Sequence, residues 1–147
     1  MQTLRFSISI NAPRERVWDV MLGDATYREW TGVFMPGSHY KGSWEKGSEI
    51  QFLGPDPETG TEGGMFSEIA EIRPREFVSI RHLGEIRNGV EEPYGADRIG
   101  YENYALSDKD GGTEVSVDMI NVPDGYAPMF EESWPKALEK IKEIAER

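Results

Sequence analysis

Every second residue is apolar from Leu4 to Ile10, through Phe6 and Ile8, and this alternation predicts a strand over 2–10. After Pro13 the apolar positions fall three and four apart at Val17, Trp18, Val20 and Met21, which predicts a helix ending near Leu22. Asn11 is suited to cap that helix and Pro13 to stand in its first turn. Gly23 can end it, and Asp24 can cap a second short helix carrying Tyr27 and Trp30 on one side. Trp18 and Trp30 are expected to pack these two helices against a sheet.

Strand patterns follow. "SHYKGSWEKGSEIQFLG" reads as a hairpin turning at Lys46-Gly47, "PDPETGTEGG" as a polar turn, and "MFSEIAEIRPREFVSIRHLG" as two strands joined around Pro74-Arg75. "EIRNGVEEPYGAD" reads as a long acidic loop over 84–97, rich in Gly and Pro, and a candidate gate for a cavity. "RIGYENYALSDKDGGTEVSVDMI" is a hairpin with the strongest turn signal in the chain, Asp110-Gly111. The end is a long amphipathic helix. Tyr126, Phe130, Trp134, Leu138, Ile141 and Ile144 share one stripe, whose phase runs through Pro135 and favours one kinked helix over two.

The order is strand, two short helices, about six further strands and a long helix, an α+β arrangement in which the helix must bury its stripe on an antiparallel sheet. At 147 residues the expectation is a single domain, 1–147. The chain carries 16 Lys and Arg against 27 Asp and Glu, a net charge of −11, which disfavours nucleic acid and anionic membrane surfaces. It has no cysteine, no basic-then-apolar leader and no apolar run long enough to span a bilayer, so the expectation is a cytoplasmic protein without disulfides.

The stretches "INAPRERVWDVM", "GGMFSEIAEIRPREFVSIRHLG", "YENYAL", "GTEVSVDM" and "SWPKALEKIKEIAE", with Trp30 of the second helix, resemble the START-like helix-grip superfamily of polyketide cyclase and pollen-allergen-like (SRPBCC) proteins. Within it the chain is most similar to the branch related to activators of the heat-shock-protein ATPase. The resemblance covers nearly the whole chain. It implies a curved antiparallel sheet of about seven strands gripping the C-terminal helix, with a cavity between them, and no catalytic set.

The motifs for chemistry are weak. "GSWEKGS" has the glycine spacing of a phosphate loop without its lysine, and "DPETGTE" and "DKDGGTE" miss the spacing of calcium loops. No serine stands in a nucleophile elbow, and His39 and His82 are the only histidines, so neither a metal nor a cofactor is expected. Strand register is more informative. Tyr104 and Leu106 share an inward face with Val115 and Val117, and alternation adds Glu102 to that face near Met119. In the strand before, Val78 and Ile80 carry His82 inward, toward Glu102 if the two strands pair. Arg81 and Glu68 face outward as a cross-strand pair.

An inward carboxylate needs a partner, from His82, Tyr104 or a ligand. Three roles stay open: a hydrogen-bonded cluster closing the core, a group orienting a ligand, or a general acid–base pair. Trp30, Phe52, Met119, Phe130 and Trp134 either fill the core or line a pocket for a flat, greasy molecule. The expected ligand-binding set is His82, Glu102, Tyr104, Met119, Phe130 and Trp134. The expected partner is a hydrophobic or aromatic small molecule, with a protein partner in stress response or a cyclase- or hydrolase-like enzyme as alternatives.

Overall fold

The computed structural model describes residues 1–56 and 58–147. Strand β1 (Gln2–Ile10) hands over to helices α1 (Arg14–Leu22) and α2 (Asp24–Thr31). Then come β2 (His39–Gly42), β3 (Glu49–Pro55), β4 (Glu62–Arg73), β5 (Phe77–Arg87), β6 (Val90–Pro93), β7 (Gly100–Lys109), β8 (Gly112–Val122) and helix α3 (Ala127–Ala145). The strands form one eight-stranded antiparallel sheet in the order β1-β8-β7-β5-β4-β3-β2, with β6 paired to β5. The two short helices therefore carry the chain from one edge of the sheet to the other.

Three local expectations need correction. Pro13, with φ −69° and ψ 154°, occupies the cap position of α1, one residue before the helix. Asn11 is no cap; its backbone N–H donates to the Glu146 carboxylate at 2.8 Å and ties the end of β1 to the end of α3. Likewise Gly23 caps α2, while Asp24 is its first helical residue, where a negative charge favours the helix dipole.

The third correction is larger. Residues 84–97 are not one long loop. Strand β5 continues to Arg87, Asn88 (φ 52°) and Gly89 (φ 77°) make a two-residue turn, and β6 returns beside β5. Two consecutive positive φ values are the type I′ geometry, which Asp110 (φ 51°) and Gly111 (φ 83°) also adopt. All four residues of β6 are exposed, so it carries no apolar alternation for sequence reading to detect. Pro93 is tolerated there because the strand pairs with β5 alone.

Helix α3 is continuous through Pro135 and buries Ala127, Trp134, Ala137, Leu138, Ile141, Ile144 and Ala145. The core they join includes Trp18, Trp30, Ile69, Ile80, Val115 and Val117. The backbone of α3 approaches β1, α1 and α2 most closely. The helix thus leans to the β1 side of the concave face and leaves space in front of β3, β4 and β5. Among the described residues no helix is long and apolar enough to cross a membrane.

Candidate functional site

The site grows out of two registers. In the β7–β8 pair Tyr104 lies opposite Val117 and Glu102 opposite Met119, and in the β5–β7 pair Ile80 lies opposite Glu102 and His82 opposite Gly100. Val117 and Ile80 are fully buried, so strand alternation directs Glu102 and His82 into the interior with them. His82 Nε2 is 3.2 Å from Glu102 Oε1, the Tyr104 hydroxyl donates to Glu102 Oε2, and His82 Nδ1 is 2.7 Å from Ser67 Oγ.

This chain has a definite polarity. An ionised Glu102 only accepts, so His82 must present an Nε2–H to it. Nδ1 of a neutral His82 is then an acceptor, and the Ser67 hydroxyl donates to it. Ser67 is fully buried and lies on neither wall of the cavity described below. It therefore positions the imidazole and is not a reachable nucleophile. Burial, and after it the negative charge of Glu102, raise the Tyr104 and Tyr27 hydroxyls well above the usual tyrosine value, so both stay protonated.

Glu102 and His82 face a cavity between the sheet and α3. It has two adjoining lobes, of about 300 and about 740 Å³, and the side chains of His82, Glu85, Glu102 and Phe130 border both. The aromatic wall of the larger lobe includes Tyr27, Trp30, Phe34, Phe52, Phe130 and Trp134. Of the residues singled out in the sequence, Tyr104 and Trp134 border the larger lobe, Met119 the smaller, and His82, Glu102 and Phe130 both. All six therefore meet around one space. Trp30 and Trp134 are also core residues, only 1% and 2% exposed, with ring centroids 5.8 Å apart. The Trp30 indole N–H donates to the Met21 carbonyl at 3.2 Å, whereas the Trp134 indole N–H, equally enclosed, finds no acceptor among the described residues. Trp18 is buried in the core, away from both lobes.

Sequence reasoning missed Glu85. In the β4–β5 pair Ser67 lies opposite His82 but Phe66 lies opposite Gly84, so Leu83 is an extra residue in β5. This bulge exchanges the two faces of the strand. Without it, alternation from His82 would turn Ile86 inward and Glu85 outward. With it, Glu85 joins Met65 on the cavity wall, while Ile86 packs with Leu53, Phe66 and Leu83 in a small separate cluster. Arg87 donates to Glu85 at 2.7 Å. Tyr94, on the wall of the smaller lobe, is pushed up to about 12 by burial and by Glu85, and the Arg98 guanidinium lies 4.9 Å from its ring centre. The sequence signal for the bulge was Gly84, whose missing side chain admits the Phe66 ring and the Glu92 carbonyl.

The weak motifs are turns. "GSWEKGS" links β2 to β3, and "DKDGGTE" spans the β7–β8 turn. In "DPETGTE" the Asp56 carboxylate accepts from the Glu58 N–H at 2.8 Å, while Pro57 lies outside the described residues. Arg81 faces Glu68 at 3.9 Å on the outer surface, a separation at which an exposed pair is worth little. Among the described residues no three His, Asp or Glu side chains converge as metal ligands.

Comparison with known proteins places this architecture. The family model described as Activator of Hsp90 ATPase homolog 1-like protein matches residues 11–146. No curated protein matches the sequence. Among solved structures, protein CV1439 from Chromobacterium violaceum is similar, with TM-score 0.72 and 18% identity over 100% of this chain and 99% of its own. Protein NE0264 from Nitrosomonas europaea aligns with TM-score 0.74 and 16% identity, covering 98% of this chain and 94% of that one. CalU16 from Micromonospora echinospora aligns with TM-score 0.69 and 14% identity, covering 97% and 75%. At such identities the likeness is one of fold.

Proposed function

The chain belongs to the family of activator of Hsp90 ATPase homolog 1-like proteins, and on that premise we propose that it is a small-molecule binding protein whose cavity takes a hydrophobic or aromatic ligand. One observation carries this reading. Two adjoining lobes of about 300 and about 740 Å³ carry a cluster of aromatic side chains on the wall of the larger one, and a small hydrogen-bonded polar group, His82–Glu102–Tyr104, borders the same space. That combination of apolar bulk and a few convergent polar atoms suits ligand capture, and either volume suits a molecule of drug size.

Saturable binding of a neutral fluorescent probe, N-phenyl-1-naphthylamine, tests it. Met65 borders both lobes, and Met65→Trp fills the space where they meet. The probe should bind the wild type with one-to-one stoichiometry, and the substitution should weaken binding by about tenfold or more, roughly 1.4 kcal/mol, while the thermal melt persists. Absence of saturable binding, or equal binding by both proteins, refutes the reading.

His82 and Glu102 favour a second reading, because a hydrogen-bonded histidine–carboxylate pair open to a cavity is also what general acid–base catalysis requires. The two readings separate on Glu102→Gln: an orienting carboxylate changes affinity, whereas a catalytic one lowers turnover far more than affinity.

A further inference from the structure

We infer that the ligand of this cavity is an organic cation, an amine whose ammonium group lies against Glu102 and whose apolar body fills the larger lobe. The inference rests on the ligand-binding reading above and names the chemistry of the ligand.

Charge at the walls is the first ground. Across both lobes the lining contains four carboxylates, Asp56, Glu62, Glu85 and Glu102, against two guanidiniums, Arg87 and Arg98. Both guanidiniums are engaged, Arg87 with Glu85 at 2.7 Å and Arg98 with the face of Tyr94, and Glu62 is paired with Lys41 at 3.3 Å, so among the lining carboxylates Asp56 and Glu102 face no Lys or Arg at ion-pair distance among the described residues.

The state of Glu102 is the second ground. Its side chain is 15% exposed, and among the described residues its one ion-pair partner is His82, a cation only when protonated. With His82 neutral, the carboxylate holds two neutral donors, from His82 and Tyr104, and no compensating charge. Two hydrogen bonds leave about half of its acceptor capacity free. A partly buried carboxylate in that condition lacks a balancing charge, and a cation arriving from the cavity supplies one. A carboxylic acid ligand would add a second negative charge, and a neutral one would leave the first uncompensated.

The walls supply the third ground. Trp30 and Trp134 both lie within 6.5 Å, centroid to centroid, of the Tyr104 ring, whose hydroxyl holds Glu102, and Phe52 lies 6.0 Å from the His82 ring. These rings cluster beside the two groups that hydrogen-bond Glu102, and a desolvated cation seated there gains from any ring face that comes within about 6 Å of it. The net charge of −11 draws cations toward the mouth in addition.

Isothermal titration of the full chain with three matched probes tests the inference: 2-(naphthalen-2-yl)ethylamine, the corresponding alcohol, and naphthalen-2-ylacetic acid. The amine should bind about tenfold or more tightly than the alcohol, and the acid weakest of all. Glu102→Gln should weaken the amine by about tenfold or more and leave the alcohol within about twofold. The wild-type preference stands on its own if the variant fails to fold. An alcohol that binds as well as the amine, or a variant that weakens both alike, overturns the inference and leaves the cavity reading intact when N-phenyl-1-naphthylamine still binds. Failure of that neutral probe and of all three naphthyl compounds overturns both.

Discussion

Two buried tryptophans on one cavity wall offer a controlled contrast. Trp30 and Trp134 are equally enclosed and border the same lobe, but the Trp30 indole N–H has a partner and the Trp134 N–H has none among the described residues. Replacing either by Phe removes similar apolar surface and similar volume. The transfer cost is about 1 kcal/mol, and the enlarged space adds up to about 1 kcal/mol more. The difference lies in the polar atom. Met21 is in the last turn of α1, where carbonyls have no partner within the helix, and Trp30→Phe strands the Met21 carbonyl at about 1–3 kcal/mol further. Trp134→Phe strands nothing and removes a buried unpaired donor, which recovers about 1–3 kcal/mol. We therefore expect Trp30→Phe to cost about 2–5 kcal/mol and Trp134→Phe to be close to neutral. Urea unfolding followed by far-ultraviolet circular dichroism measures both without relying on indole fluorescence, provided the slope is unchanged. The two melting temperatures should differ by roughly 5–15 °C. Equal losses in the two variants would refute the reasoning, because the indole hydrogen bond would then not be what distinguishes the two residues.

Two further outcomes are expected. Gly84→Ala puts a methyl group into the Phe66 ring and the Glu92 carbonyl, so it should cost about 1–3 kcal/mol and speed hydrogen exchange at the Tyr94 amide, which donates to the Leu83 carbonyl; a variant as stable and as protected as the wild type would mean that the Phe66 ring and the Glu92 carbonyl do not crowd position 84. At alkaline pH the buried tyrosines Tyr27 and Tyr104 should destabilise the fold, since they hold their protons above pH about 10 while the unfolded chain releases them. With fewer protons on the unfolded state, stability falls as pH rises, by up to about 1.4 kcal/mol per pH unit for each tyrosine. The Tyr27→Phe, Tyr104→Phe double variant should flatten that slope, and urea midpoints at three pH values check it.

Much of the fold is written in local periodicity. Alternation over 2–10 and 100–122 specifies strands, the Asp110-Gly111 turn sets the β7–β8 register, and from that register Glu102 faces inward opposite Met119. The approach of His82 to Glu102 follows from the same argument once β5 and β7 are paired. These features are legible because each depends on neighbours a few residues away or on one pairing of strands.

What the sequence could not decide depends on contacts between distant segments. The bulge at Leu83 puts Glu85 on the cavity wall, and it sits next to Gly84, where Phe66 of the neighbouring strand and the returning β6 both occupy the space a side chain would need. Strand β6 itself is exposed on every residue, and the Asn88-Gly89 turn, though a strong hairpin signal, is followed by acids and a proline that read as loop. The cavity belongs to tertiary structure most of all. The apolar stripe of α3 requires only that the helix be buried, whereas its tilt toward β1, α1 and α2 leaves the space in front of β3, β4 and β5 where the polar and aromatic side chains converge. Hydrophobic burial drives a helix onto a sheet without specifying where along that face it comes to rest, and the fit of side chains across the whole interface decides the remainder.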